Sequence, residues 1–192
     1  MSTSQRVRFR GALGHELIGA LDLPATRPRA FALFAHCFTC SKDLKAARWI
    51  SRALAEQGYG VLRFDFTGLG ESEGDFECTD FSSNVSDLLA AIELLRSEHR
   101  EPSLLVGHSL GGAAVLVAAA EVEECRAVAT IGAPSDTAHL LDGVLSGADP
   151  DAEVQELQLA GRRFRVGKQL LEDLAADHLV SCNSNFWNKS RW

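Results

Sequence analysis

Ser109 stands in Gly107-His108-Ser109-Leu110-Gly111, between an apolar run and a stretch of small residues. A serine hydroxyl is a weak nucleophile until a base takes its proton, and G-x-S-x-G is the spacing by which a strand-to-helix turn exposes one. Such a turn is tight, so the positions two before and two after the serine must be small. Gly112 and Ala113 extend that smallness to where a helix would pack on the strand. A helix beginning after Ser109 also sets the Leu110 backbone N–H beside the hydroxyl, where it can stabilise an oxyanion.

Other reactive residue types suggest other chemistries. Cys37-Phe38-Thr39-Cys40 is a C-x-x-C between a strand and a helix, which opens a thioredoxin-like redox reading of Cys37 and Cys40. No second cysteine or histidine pair has ligand spacing, so no metal is expected. Gly68-Leu69-Gly70-Glu71-Ser72-Glu73-Gly74 imitates a dinucleotide loop, but its last glycine is one position late and its carboxylates would face the phosphates. No cofactor is expected.

The elements that must position these residues can be read from apolar spacing. Arg6–Arg10 and Glu16–Leu23 read as strands around a Gly11–Gly14 turn. Ala30–Ala35 is a continuous apolar run, as in a strand buried on both faces, Tyr59–Phe64 reads as the next buried strand, and Leu104–Val106 and Ala127–Ile131 are further strands. Helical spacing covers Leu44–Gln57, stopped by Gly58, then Phe81–Leu95 with Thr79 or Asp80 as cap, and Leu110–Glu121. This alternation predicts an α/β fold, a mostly parallel sheet with helices on both faces. Beyond Ile131 the rhythm changes: a helix over Ser135–Leu145, a hairpin of Gln155–Leu159 with Phe164–Val166 around Gly161, and a helix over Lys168–Asp177.

With 192 residues, 46% hydrophobic and 23% charged, the chain suits one domain with a real core. A net charge of −7 offers no basic patch to nucleic acid or an anionic membrane. The longest apolar run, Ala113–Ala120, is eight residues, too short to span a bilayer. The start, MSTSQRVRFR, lacks the apolar segment of a signal peptide, so a cytoplasmic location is expected. Five cysteines, an odd number, suggest free thiols in a reducing compartment.

"FAHCFTCSKDL", "RFDFTGLGESEG", "GHSLGGAAVL" and "IGAPSD" resemble the α/β-hydrolase superfamily, and more closely its bacterial serine aminopeptidase-like members. The match is to the hydrolase half of proteins that carry an OsmC-type domain behind it. The resemblance covers about residues 5–180. It implies a serine hydrolase of esterase or peptidase type acting on a small-molecule ester or amide. Ser109 is then the nucleophile, Leu110 gives one oxyanion N–H, and Phe38 gives the second, with Cys37 as the alternative donor because this chain has cysteine where the family turn has glycine. The implied chain order is serine, acid, histidine. His36 and His108 therefore read as turn residues, and Asp65 as a turn-stabilising carboxylate. Asp136 is a candidate acid that also fits a helix N-cap, and His139 and His178 are candidate bases that also fit a solvated surface.

The 83 residues after Ser109 hold one further apolar strand, so the last strands of that fold have no counterpart. The expectation is an incomplete hydrolase domain over residues 1–180, with a cap-like segment at 135–177 whose Leu140, Leu141, Val144 and Leu145 suit an apolar acyl group. The tail SCNSNFWNKSRW, 181–192, differs in composition and reads as a frameshifted or disordered end. An incomplete triad, weak ester hydrolysis and an uncovered apolar sheet edge follow. The oligomeric state stays open, and a non-catalytic binding fragment is the alternative to an enzyme.

Overall fold

The computed structural model describes residues 2–143, 145–159 and 161–176. Its main sheet has six strands: β1 (Thr3–Arg10), β2 (Glu16–Leu23), β3 (Ala30–Ala35), β4 (Tyr59–Phe64), β5 (Leu104–His108) and β6 (Ala127–Ile131). They lie in the order β1-β2-β4-β3-β5-β6. The first two strands pair antiparallel, as do β2 and β4, and the remaining neighbours are parallel. The apolar runs become β3, β4 and β5, whose side chains are buried on both faces because helices cover each side.

On one face lies α1 (Lys45–Glu56), where Ala47 packs with Phe34 and Val106, and Ile50 and Leu54 pack at the border. The other face carries α2 (Phe81–Glu98) and α3 (Leu110–Ala118), which close the main core around Phe64, Phe81, Leu88, Leu105 and Val115. Asp80 caps α2: its carboxylate accepts the Ser83 N–H, and the Ser83 hydroxyl accepts the Asp80 N–H. The helix expected over 110–121 ends at Ala118 and finishes as a 3₁₀ turn, Ala119–Glu121.

After β6 the expected helix over 135–145 shrinks to α4 (His139–Asp142). The Asp136 carboxylate accepts the Ala138 N–H at 2.8 Å and bends the entry, and Gly143 closes the far end through its N–H to His139 O at 3.2 Å. The hairpin forms as β7 (Val154–Leu159) against β8 (Arg162–Gly167), followed by α5 (Lys168–Ala175). Leu159, Val166, Leu170, Leu171 and Leu174 bury this segment on the main core. Thr137 ties its start to its end by donating to the Leu174 carbonyl at 3.0 Å, and Asp173 binds the Ser82 N–H at 2.7 Å.

Strand β6 is the last of the sheet and is largely exposed, with Ile131 44% accessible. Among the described residues no strand pairs with its outer side, and no helix is long and apolar enough to cross a membrane. His178 and the tail 181–192 lie outside the described residues, as does Val144.

Candidate active site

Strand β5 runs straight into α3 with only Ser109 between them, and the chain turns there at φ 54° and ψ −124°. This is left-handed backbone that a side chain resists, held here by the hydrogen bonds and close backbone contacts around it. The Ser109 N–H donates to Ile131 O at 2.9 Å, and its carbonyl accepts the Gly112 N–H at 2.8 Å. The flanking glycines are needed for space. A Cβ on Gly107 would meet Gly111 O at 2.3 Å, and a Cβ on Gly111 would meet His36 O at 2.3 Å. The helix start therefore sits directly on the end of β3, and the loop that follows β3 is brought to Ser109.

That loop, residues 36–42, carries the predicted second donor. Cys37 and Cys40, expected as free thiols, are joined by a disulfide with Cα atoms 5.3 Å apart. The Cys40 N–H donates to Cys37 O at 3.0 Å, so the two lie at the ends of one tight turn, the spacing that lets their sulfurs meet. Thr39 has φ 70°. Phe38 packs edge-on to Phe76 at 5.2 Å between ring centres. Neither the Phe38 N–H nor the Leu110 N–H donates a hydrogen bond among the described residues.

Ser109, His108 and the whole turn Cys37–Cys40 line one cavity of about 280 Å³, closed by Gly132, Leu140, Leu145, Leu159 and Leu174. The wall opposite the serine is thus apolar and comes from the segment after β6. Leu110 lies just behind, buried against Phe38 and Phe66.

Asp65, at the end of β4, is fully buried and organises the loop. Its carboxylate accepts the Lys42 N–H at 2.6 Å, the Lys42 ammonium at 2.9 Å and the Glu71 N–H at 3.0 Å. Lys42 is 4% exposed and also reaches Glu71 and Asp43. Burial opposes its charge, yet the hydrogen bonds it donates to Glu71 and Asp65 hold the ammonium above the ordinary lysine value. Arg63 extends the network by pairing with Asp22 at 2.8 Å and donating to Lys42 O at 2.8 Å. On the other face of the turn, Asp87 of α2 accepts from Ala12 N–H, Thr67 N–H and the Thr67 hydroxyl.

The sequence pointed to Asp65 but not to Lys42, Arg63 or Asp87. The available signals were an arginine inside the apolar run YGVLRF and an aspartate on the buried spacing of α2.

The remaining residues singled out in the sequence make no hydrogen bond to Ser109 among the described residues. His36 is buried, with Nδ1 against Cys37 O at 2.8 Å and Nε2 at 3.9 Å from Asp65 Oδ1. Burial pushes its imidazole below the ordinary histidine range against the pull of the Cys37 carbonyl and Asp65. His108 Nδ1 is buried with no hydrogen-bond partner among the described residues. Asp136 does not line the cavity; its side chain is 48% exposed, 3.9 Å from His139 Nδ1. Among the described residues no group of three His, Cys, Asp or Glu is arranged to hold a metal ion.

Comparison with known proteins places this geometry in a family context. Residues 26–183 match the family described as Serine aminopeptidase, S33. The crystal structure of the esterase domain of a Rhodothermus marinus protein is 47% identical, covering 98% of this chain and 72% of that one, with a TM-score of 0.67. Monoglyceride lipase of Rattus norvegicus is 41% identical over 63 residues, 32% of this chain and 21% of its own length. Monoacylglycerol lipase of Mycolicibacterium smegmatis is 26% identical over 145 residues, 74% of this chain and 50% of its own length. The chain thus spans half or less of the curated relatives it matches.

Proposed function

The chain belongs to the serine aminopeptidase S33 family and has the α/β-hydrolase fold, and from that premise we propose that it is an esterase-type hydrolase whose nucleophile is Ser109. The Ser109 hydroxyl attacks the carbonyl carbon of a small-molecule ester. The carbonyl oxygen takes the negative charge and is received by the backbone N–H groups of Leu110 and Phe38. Collapse expels the alkoxide, which takes up the proton lost by Ser109 and leaves as the alcohol; the acyl group stays on Ser109 until water releases it as the acid and returns a proton to the serine. The acyl chain lies along Leu140, Leu145, Leu159 and Leu174.

One observation carries this reading: Ser109 and the turn bearing Phe38 line the same cavity, and the two N–H groups beside them have no internal acceptor among the described residues. Peptide and amide substrates fit the same chemistry, but the leucine wall favours an apolar acyl group. No base is assigned, since among the described residues no histidine is hydrogen-bonded to the Ser109 hydroxyl.

That last point favours a second reading, a binding module that holds an acyl ligand without turnover. An alkyl fluorophosphonate separates the two. Incubation of the full chain is expected to give one adduct by mass, mapped to the Ser109 peptide and absent from Ser109→Ala. Absence of an adduct, or an equal adduct on Ser109→Ala, overturns the hydrolase reading.

A further inference from the structure

The Cys37–Cys40 pair is a reactive feature of the site that ester hydrolysis does not use. The two cysteines bracket Phe38 and Thr39, and all four residues line the Ser109 cavity. Both are part-exposed there, so a small thiol reagent can reach them. The loop is anchored at each end by other means: His36 Nδ1 on Cys37 O at 2.8 Å, and the Lys42 N–H on Asp65 at 2.6 Å. Within residues 37–40, among the described residues, the one backbone hydrogen bond is from the Cys40 N–H to Cys37 O, and Thr39 is kept at φ 70°. A threonine leaves that region when nothing holds it.

We infer that Cys37 and Cys40 form a reversible dithiol–disulfide switch on the oxyanion hole, the bonded form holding the Phe38 N–H where the oxyanion develops. This rests on the hydrolase reading of Ser109. In reduction, the thiolate of an external dithiol attacks one sulfur of the pair and breaks the Cys37–Cys40 bond. The reagent's second thiol then displaces the mixed disulfide. Two electrons and two protons enter the protein, and the reagent leaves as its cyclic disulfide. In oxidation, a small disulfide such as oxidised glutathione accepts the two electrons and leaves as two thiols. Opening the bond frees Thr39 to return to negative φ, and the turn carrying the Phe38 N–H relaxes with it. The leucine wall is untouched, so acyl binding stays.

The test compares the full chain after treatment with oxidised glutathione and after dithiothreitol, each desalted, on p-nitrophenyl butyrate. Iodoacetamide labelling and mass spectrometry report the redox state. The reduced form is expected to show Cys37 and Cys40 newly alkylated, read on their own peptide because glutathione also caps the exposed thiol of Cys78. Its kcat should fall by about tenfold, short of the roughly 10²–10³ lost when an oxyanion donor is removed outright, with KM nearly unchanged. Reoxidation restores the rate. Cys37→Ser/Cys40→Ser is expected to stay at the reduced rate under both treatments, and Cys78→Ser/Cys125→Ser to keep the response.

Equal kcat in the two forms, or no difference in alkylation at Cys37 and Cys40 between them, overturns the switch. If the protein takes the phosphonate on Ser109 yet is blind to redox state, only the switch fails. If it takes no phosphonate in either form, the hydrolase reading fails and the switch fails with it.

Discussion

Gly111 in the first turn of α3 lies so close to the carbonyl of His36 that a Cβ at residue 111 would stand 2.3 Å from the oxygen. This contact docks the nucleophile turn on the end of β3 and fixes how far Ser109 sits from the Phe38 N–H. Gly111→Ala must push α3 away from backbone atoms that cannot rotate aside. The expected cost is about 1–3 kcal/mol, as for other overpacked sites, together with slower phosphonate labelling of Ser109. Urea unfolding and the labelling rate check both. Wild-type labelling in the variant would mean that the docking does not set the site.

Ser109 sits at φ 54°, a region that glycine occupies freely. Ser109→Gly should therefore abolish labelling while raising stability by about 0.5–1 kcal/mol, or roughly 2–4 °C in Tm per kcal/mol for a chain of this size. Ser109→Ala, which keeps a Cβ, should abolish labelling without that gain. If both variants melt alike, the turn is not strained.

The elbow was legible in sequence because its requirements are local: small residues at fixed offsets, an apolar run before and a helix after. The strand AFALFA was legible for the same reason, since burial on both faces leaves it no polar position, and YGVLRF was legible despite its one buried arginine, Arg63. Lys42, Arg63 and Asp87 were not, because each finds a buried partner 20 or more residues away in the chain. Residues 135–145 misled as a helix. Leu140, Leu141, Val144 and Leu145 form i, i+4 pairs, but Leu140 and Leu145 are apolar because they face the cavity and core, not because one helix carries both. The bond between Cys37 and Cys40 was hidden by a composition argument about compartment, where the short turn was the deciding feature.

Lys42 is the only ammonium on the buried Asp65 carboxylate among the described residues. Lys42→Met leaves that carboxylate with backbone donors alone, a change that costs about 3–5 kcal/mol when a buried pair loses one member. The double variant Lys42→Met/Asp65→Asn should be no less stable than Asp65→Asn alone, because the uncompensated charge is gone. Chemical denaturation of the three variants gives the coupling. Additive losses would show that the pair is not coupled.

Acid should destabilise the fold in two stages. Burial lowers the His36 pKa from 6.5, so below that value the unfolded chain binds the proton first and stability falls. Glu71, beside Lys42, and Asp43, beside Lys42 and Arg63, also have lowered values; their contribution is present above 4.5 and 3.8 and lost as pH falls through the folded values. Lys42 has the opposite sign: its contribution is full below 10.5 and lost as pH rises through its raised folded value. Tm should accordingly be level from about pH 7 to 9, decline below about 6.5, and decline again above about 9, where burial keeps the Cys125 thiol protonated in the fold while the unfolded chain loses that proton. In His36→Gln the decline should begin only where the carboxylates titrate. A wild-type Tm that is flat from 6.5 to 5 contradicts the buried, neutral His36.

Leu140 tests whether the cavity holds the acyl chain. It is only partly buried in the core and lines the space opposite Ser109, so a larger side chain there fills the cavity with little cost to the fold. Each methylene moved from water to an apolar wall is worth about 0.8 kcal/mol. Wild type should therefore prefer p-nitrophenyl octanoate to the butyrate, and Leu140→Trp should narrow that preference in kcat/KM by about tenfold or more, the equivalent of roughly 1.4 kcal/mol or above. The acetate, whose acyl group ends beside Ser109, should be hydrolysed at near the wild-type rate. A chain-length profile unmoved by Leu140→Trp would place the acyl group outside the leucine wall, and a loss shared equally by all three esters would mean that the tryptophan blocks Ser109 itself.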